Sequence, residues 1–183
     1  MMERSVKERN ILDQFCTDFC NIVEKHAKYI IVSGFVAIST GRTRGTEDID
    51  MIIEKLDGAR FTKLHEELVK NGFVCMQSNN VEEIYSYLAE RLSVRYTYND
   101  KEVPEMEIKF AKDVLDELQL QGRIKIPLTG LDVWFGSIEM NIAYKEEYLK
   151  SDKDLEDAQH LRIVFTPSEE KINKCKELIR RYK

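Results

Sequence analysis

Two hydrophobic periods alternate along the chain, and each predicts an element. Leu12, Phe15, Phe19, Ile22 and Val23 recur three and four apart, which predicts an amphipathic helix over residues 5–26. Tyr29–Val32 is a short β-branched run closed by Ser33 and Gly34, the pattern of a buried strand. A short helical stretch follows over 35–40, stopped at Gly41, and residues 42–47 form a polar loop. Asp48–Ile53 alternates polar and apolar at its start, which predicts a second strand.

Phe61, Leu64 and Leu68 mark a helix that stops near Asn71 and Gly72. A short strand over 73–76 and a helix carried by Val81, Ile84, Tyr85, Leu88 and Leu92 come next. Residues 93–98 and 103–111 flank Asn99, Asp100 and Lys101 and predict an antiparallel hairpin. Residues 123–127 read as one more edge strand. Three helices then end the chain. Ser137 caps the first, the run from Ser151 to Asp154 resembles a capping box for the second, to about Val164, and Pro167 takes the first position of the third. Ile172, Cys175, Leu178 and Ile179 form that last apolar stripe.

The expectation is an α/β (α+β) protein: a small mixed sheet with helices over residues 1–130, then a helical region over 131–183. At 183 residues, 43% hydrophobic and 33% charged, the chain suits one compact core with an appendage. A net charge of −5 removes a basic nucleic-acid footprint at the level of the whole chain. No apolar run reaches the roughly 18 residues that span a bilayer, and no apolar signal segment follows the N-terminus. A soluble, cytoplasmic protein is expected, with no membrane contact. Cys16 and Cys20 share a helix face and read as small buried hydrophobes. His26, His65 and His160 lack zinc spacing.

The chemistry concentrates between Ile31 and Asp50. Ser33 and Gly34 end a strand and open a helix, where glycine admits a close ligand and unpaired N–H groups face an anion. Asp48 and Asp50 lie two apart on one strand, so they project from one face with Cα atoms roughly 7 Å apart. Carboxylates so placed converge on hard cations such as Mg²⁺, which in turn hold substrate phosphates.

Val32 through Ala37, then Gly41, Arg44, Thr46, Asp48 and Asp50, resemble the signature of the polymerase-beta-like nucleotidyltransferase superfamily. The run Arg44-Gly45-Thr46-Glu47-Asp48-Ile49-Asp50 is closer still to the minimal nucleotidyltransferases. Weaker matches follow in the family's order over residues 107–113, 137–145 and 153–157; residues 1–28 and 166–183 carry no recognised motif.

The resemblance implies a small mixed sheet flanked by helices and transfer of a nucleoside monophosphate from an NTP, ATP foremost, with release of pyrophosphate. Asp48 and Asp50 would bind catalytic Mg²⁺. Glu105 and Glu107 share a strand face, and Glu107 fits the third carboxylate, as metal ligand and base, although the family more often has Asp there. Ser33 stands where the family usually has Gly. Ser33, Gly34, Arg44 and Lys145 would bind the nucleotide, while Arg42 flanks the site. Asp154 and Asp157 read as helix capping and surface charge. Trp134, Phe135, Tyr144 and Tyr148 read chiefly as packing between sheet and tail. The acceptor stays open among RNA, protein and small molecule. An antitoxin-like partner protein of a toxin–antitoxin pair and an antibiotic adenylyltransferase stand as alternatives, and a partner protein or homo-oligomer is compatible with either.

Overall fold

The structure, a computed structural model, describes residues 6–46 and 48–183. The predicted helix start at residue 5 and the loop residue Glu47 lie outside them. Five strands, β1 (Tyr29–Val32), β2 (Asp48–Ile53), β3 (Phe73–Cys75), β4 (Val94–Tyr98) and β5 (Glu105–Phe110), form one sheet in the order β1-β2-β5-β4-β3. Only the β2–β5 pair is parallel; the other neighbours run antiparallel, so the sheet is mixed as expected.

Strand alternation divides the sheet into two faces. Tyr29, Ile31, Ile49, Met51, Ile53, Tyr96, Met106, Ile108 and Phe110 belong to one buried core. Over them lie α1 (Val6–Val23), α3 (Gly58–Lys70) and α4 (Val81–Ala89), which add Phe15, Phe19, Leu64, Leu68, Ile84 and Leu88. Aromatic edges lock this layer: Phe19 meets Phe73 with ring centroids 5.1 Å apart and planes at 89°. Cys16 and Cys20 are fully buried there, with sulfurs 3.9 Å apart and no disulfide, which bears out their reading as small hydrophobes.

The opposite face is apolar only near β1. Ile30, Ile52, Ala111 and Leu120 make a small second cluster beneath α5 (Val114–Gln121). No prediction covered α5; Asp113 caps it, accepting from the Asp116 N–H at 2.9 Å. The expected edge strand over 123–127 shrinks to single bridges, Ile124 to Phe135 and Phe135 to Ile31, because Pro127 turns the chain into a 3₁₀ turn at Pro127–Thr129.

The C-terminal helices are α6 (Ile138–Tyr144), α7 (Asp152–Phe165) and α8 (Glu169–Tyr182). Ser137 and Ser151 cap α6 and α7 as predicted, accepting from Met140 and Asp154 N–H groups at 3.2 Å each. For α8 the cap is Ser168, so Pro167 precedes the helix instead of opening it. A π-helical turn, Lys145–Leu149, extends α6. Among the described residues no helix is long and apolar enough to cross a membrane.

Candidate active site

The parallel register of β2 and β5 sets Asp50 opposite Glu107 and Asp48 opposite Glu105. Alternation alone puts all four carboxylates on the face away from the main core. Across the next pairs, Val32 faces Asp50 and Arg95 faces Glu107. Asp48 is exposed and Asp50 half-buried. Arg95 reaches over the pair of glutamates, with Nη2 3.0 Å from Glu107 Oε2 and Nε 3.6 Å from Glu105 Oε2. Sequence reasoning did not single out Arg95; its position opposite Glu107 comes from the strand register.

Burial raises the proton affinity of Asp50 above the ordinary carboxylate range, and the negative charge of Glu107 adds to it. The Ser33 hydroxyl hydrogen-bonds Asp50 and pulls the other way. Asp50 is thus a carboxylate short of positive charge beside a second carboxylate, and an oxygen-seeking divalent cation would relieve that. Among the described residues, no three His, Cys, Asp or Glu side chains are gathered closely enough to hold a metal. Glu107 is turned to Arg95, so a shared ion would require it to exchange the guanidinium for the metal. The donor types, carboxylate oxygens with one pair on β2 and one partner on β5, are those that hard divalent cations take.

Ser33 sits at φ 67°, ψ −142°, backbone that suits glycine. The serine at this turn therefore carries conformational strain of about 1–3 kcal/mol and offers its hydroxyl to Asp50 in return. Gly34 opens α2 (Gly34–Ser39), a helix of six residues buried throughout. A Cβ at Gly34 would collide with the Arg44 guanidinium, so glycine here makes room for an arginine.

Arg44 leads to a second charged group. Asp157 of α7 is wholly buried, which overturns its reading as surface charge. It receives Lys145 Nζ at 2.9 Å, Arg44 Nε lies 3.3 Å away, and Arg42 pairs with it directly. Lys145 is 2% exposed and also meets Asp154 at 3.4 Å, so it is no surface lysine of an open helix face. Arg42 extends to Glu156 at the rim. Three cations thus converge on one sealed carboxylate, and two peripheral acids balance the rest. In a low dielectric such a set holds only if every charge is met. Arg42 and Asp157 are 115 positions apart. The one local signal is that Asp157 falls beside Ala158 and one turn before Leu161, on the buried stripe of α7.

Both groups border a cleft of about 170 Å³. Ser33, Asp50, Glu107 and Lys109 line its sheet side; Asp116 and Gln119 of α5, and Asn141, Tyr144 and Lys145 after them, line its helical side. Of the residues predicted for the site, Ser33, Asp50, Glu107 and Lys145 share this lining. Asp48 stands next along β2, and Gly34 with Arg44 lies behind the Ser33 turn. Tyr144 lines the cleft and stacks edge-on with Tyr148 at 5.5 Å, while Phe135 is core and Trp134 lies under the Arg123 guanidinium at 4.3 Å. Packing, the favoured reading, describes these last two.

Solved structures share this architecture. An antigenic nucleotidyltransferase-like protein from Paracoccidioides brasiliensis aligns with a TM-score of 0.60 at 16% identity, over 98% of this chain and 90% of its own. The antibiotic-resistance factor ANT(2'')-Ia aligns at 0.58 and 16% identity, over 94% of this chain and 93% of its own. The same factor in complex with adenylyl-2"-tobramycin aligns at 0.56 and 14% identity, over 96% and 98%. No protein-family model and no curated protein matches the sequence. At these identities the likeness establishes the fold: the chain has the nucleotidyltransferase fold that the motif around Asp48 and Asp50 implied.

Proposed function

We propose that the protein is a nucleotidyltransferase. It moves a nucleoside monophosphate from an NTP, with ATP as the favoured donor, to an acceptor hydroxyl and releases pyrophosphate. The observation that carries this reading is the register of Asp50 with Glu107 at the edge of a cleft that also holds Lys145. The shared fold supports it.

In this reading Asp48 and Asp50 would hold Mg²⁺, with Glu107 as the third carboxylate once freed from Arg95. The ion supplies neutralisation of the phosphate oxygens as charge develops on them. Ser33 orients Asp50 through its hydroxyl. Lys145 and Arg44 face the triphosphate from the Asp157 cluster, which holds them in place before substrate arrives. Arg95 holds Glu107 before substrate arrives; released from it, the Glu107 carboxylate would take the proton of the acceptor hydroxyl. Residues 1–130 serve as the catalytic core, and residues 131–183 close the cleft from the helical side. Four free cysteines agree with a reducing, cytoplasmic setting.

The structure solved with adenylyl-2"-tobramycin makes a small hydroxylated molecule the first acceptor to try, before RNA and protein. The test is incubation with each labelled NTP and Mg²⁺, alone and with small-molecule, RNA and protein fractions of a cell extract. A labelled product with equimolar pyrophosphate is expected from at least one mixture. Absence of both from every mixture would overturn the proposal.

A further inference from the structure

Several polar groups of the cleft take no part in the chemistry above, and one of them has an unpartnered oxygen. Asp116, in the first turn of α5, is 1% exposed and lines the cleft. Its Oδ2 accepts from the Lys112 N–H at 3.1 Å, so that oxygen is satisfied within the chain. Its Oδ1 is buried and meets no donor among the described residues. An acceptor sealed without a donor costs about 1–3 kcal/mol, more when charged, and buried polar atoms of this kind are nearly always completed by a partner. Gln119, one turn on, is 8% exposed and adds a second polar edge to the same wall.

We propose that Asp116, with Gln119 beside it, is the subsite that takes the ribose hydroxyls of the bound nucleotide. The inference rests on the nucleotidyltransfer reading and adds a residue on α5 to it. Three features favour hydroxyls as the missing donors. A carboxylate accepts from a ribose hydroxyl in a charge-assisted bond, the stronger class of hydrogen bond. Lys109 and Lys145 stand in the same lining, so a neutral hydroxyl meets less repulsion there than an ammonium group would. The cleft is also continuous from Asp50 to Asp116, so a nucleotide with its phosphates at Asp50 and Lys145 has its sugar left for the remaining polar wall.

Calorimetric titration of the full chain with Mg²⁺–ATP and with Mg²⁺–2′,3′-dideoxy-ATP tests this directly. Wild type is expected to bind ATP about tenfold more tightly than the dideoxy compound, the worth of one charge-assisted bond. In Asp116→Ala the ratio should fall to near one, and in Asp116→Asn to an intermediate value. Asn keeps an oxygen for the Lys112 N–H, so this variant preserves the turn if the alanine variant misfolds. Because each protein serves as its own reference, a general loss of affinity does not imitate the effect. A wild type that binds both nucleotides equally, or variants that keep its ratio, would overturn the subsite and leave nucleotidyl transfer standing. A wild type that binds neither nucleotide would overturn both.

Discussion

On one face of the sheet Ile49, Met51, Met106 and Ile108 lie sealed under α1, α3 and α4. On the other, the residues that alternate with them along β2 and β5 are Asp48, Asp50, Glu105 and Glu107. The backbone, register and strand length are shared; only the side-chain parity differs. The first face holds the fold, since each fully buried Ile or Met contributes about 1.5–3 kcal/mol through burial. The second gathers negative charge that burial does not favour, and Asp50 shows it by holding its proton more tightly than usual. Placing both sets on one pair of strands gives the acidic face a rigid base, which a constellation of carboxylates requires. It also makes the two roles separable by substitution at neighbouring positions.

The sharpest break in the comparison is on the acidic side. Asp50→Asn should reduce nucleotidyl transfer by about 10³-fold or more, since a ligand to a catalytic ion stabilises charge worth several kcal/mol. The same variant should keep its circular dichroism and melt cooperatively; retained activity would remove Asp50 from the metal assignment. Next comes the cluster behind the site. Asp157→Ala strips the counter-ion from Lys145 and Arg42, and the expected loss is about 4 kcal/mol in urea unfolding. A loss under 1 kcal/mol would mean that water reaches these charges.

On the sealed face, Ile108→Ala should cost about 3 kcal/mol by transfer and cavity terms. Its nucleotide affinity under folding conditions should be unchanged, and an equal loss of affinity would show that the faces are not independent. The smallest effect concerns the junction between them. Ser33→Gly removes backbone strain and the hydroxyl bond to Asp50 together, so a net gain of about 1 kcal/mol in stability is expected, with weaker transfer. A destabilised glycine variant would show that the hydroxyl bond outweighs the strain.

This division also explains what the sequence made legible. The short β-branched run at 29–32 and the alternation at the start of 48–53 announced their strands directly, and period-two alternation told which carboxylates share a face. The Asn99 turn gave the β4–β5 hairpin, and hydroxyl caps fixed the starts of α6 and α7. The rest depends on distances no local pattern carries. Arg42, Arg44, Lys145 and Asp157 come from a loop, a π-turn and a helix; the resemblance pointed Arg44 and Lys145 at the nucleotide, but nothing local joined them to Asp157, which read as surface charge. Packing of α7 against α2, α6 and the π-helical turn brings them together. Gly34 shows the same limit: its glycine signalled a close approach, but the approaching group is the protein's own Arg44. Helix α5 escaped because its eight residues give one weak stripe, and with it went Asp116.

In the proposed function the acidic face binds a nucleotide through a divalent ion. Calorimetry with ATP, run with Mg²⁺ and again with EDTA, on wild type and Asp50→Asn, addresses it most directly. Saturable one-to-one binding is expected in wild type with Mg²⁺, and a loss of at least tenfold in affinity either when the metal is removed or when Asp50 is replaced. Binding of equal strength in all four titrations, or no binding to a folded wild type with Mg²⁺, would contradict it.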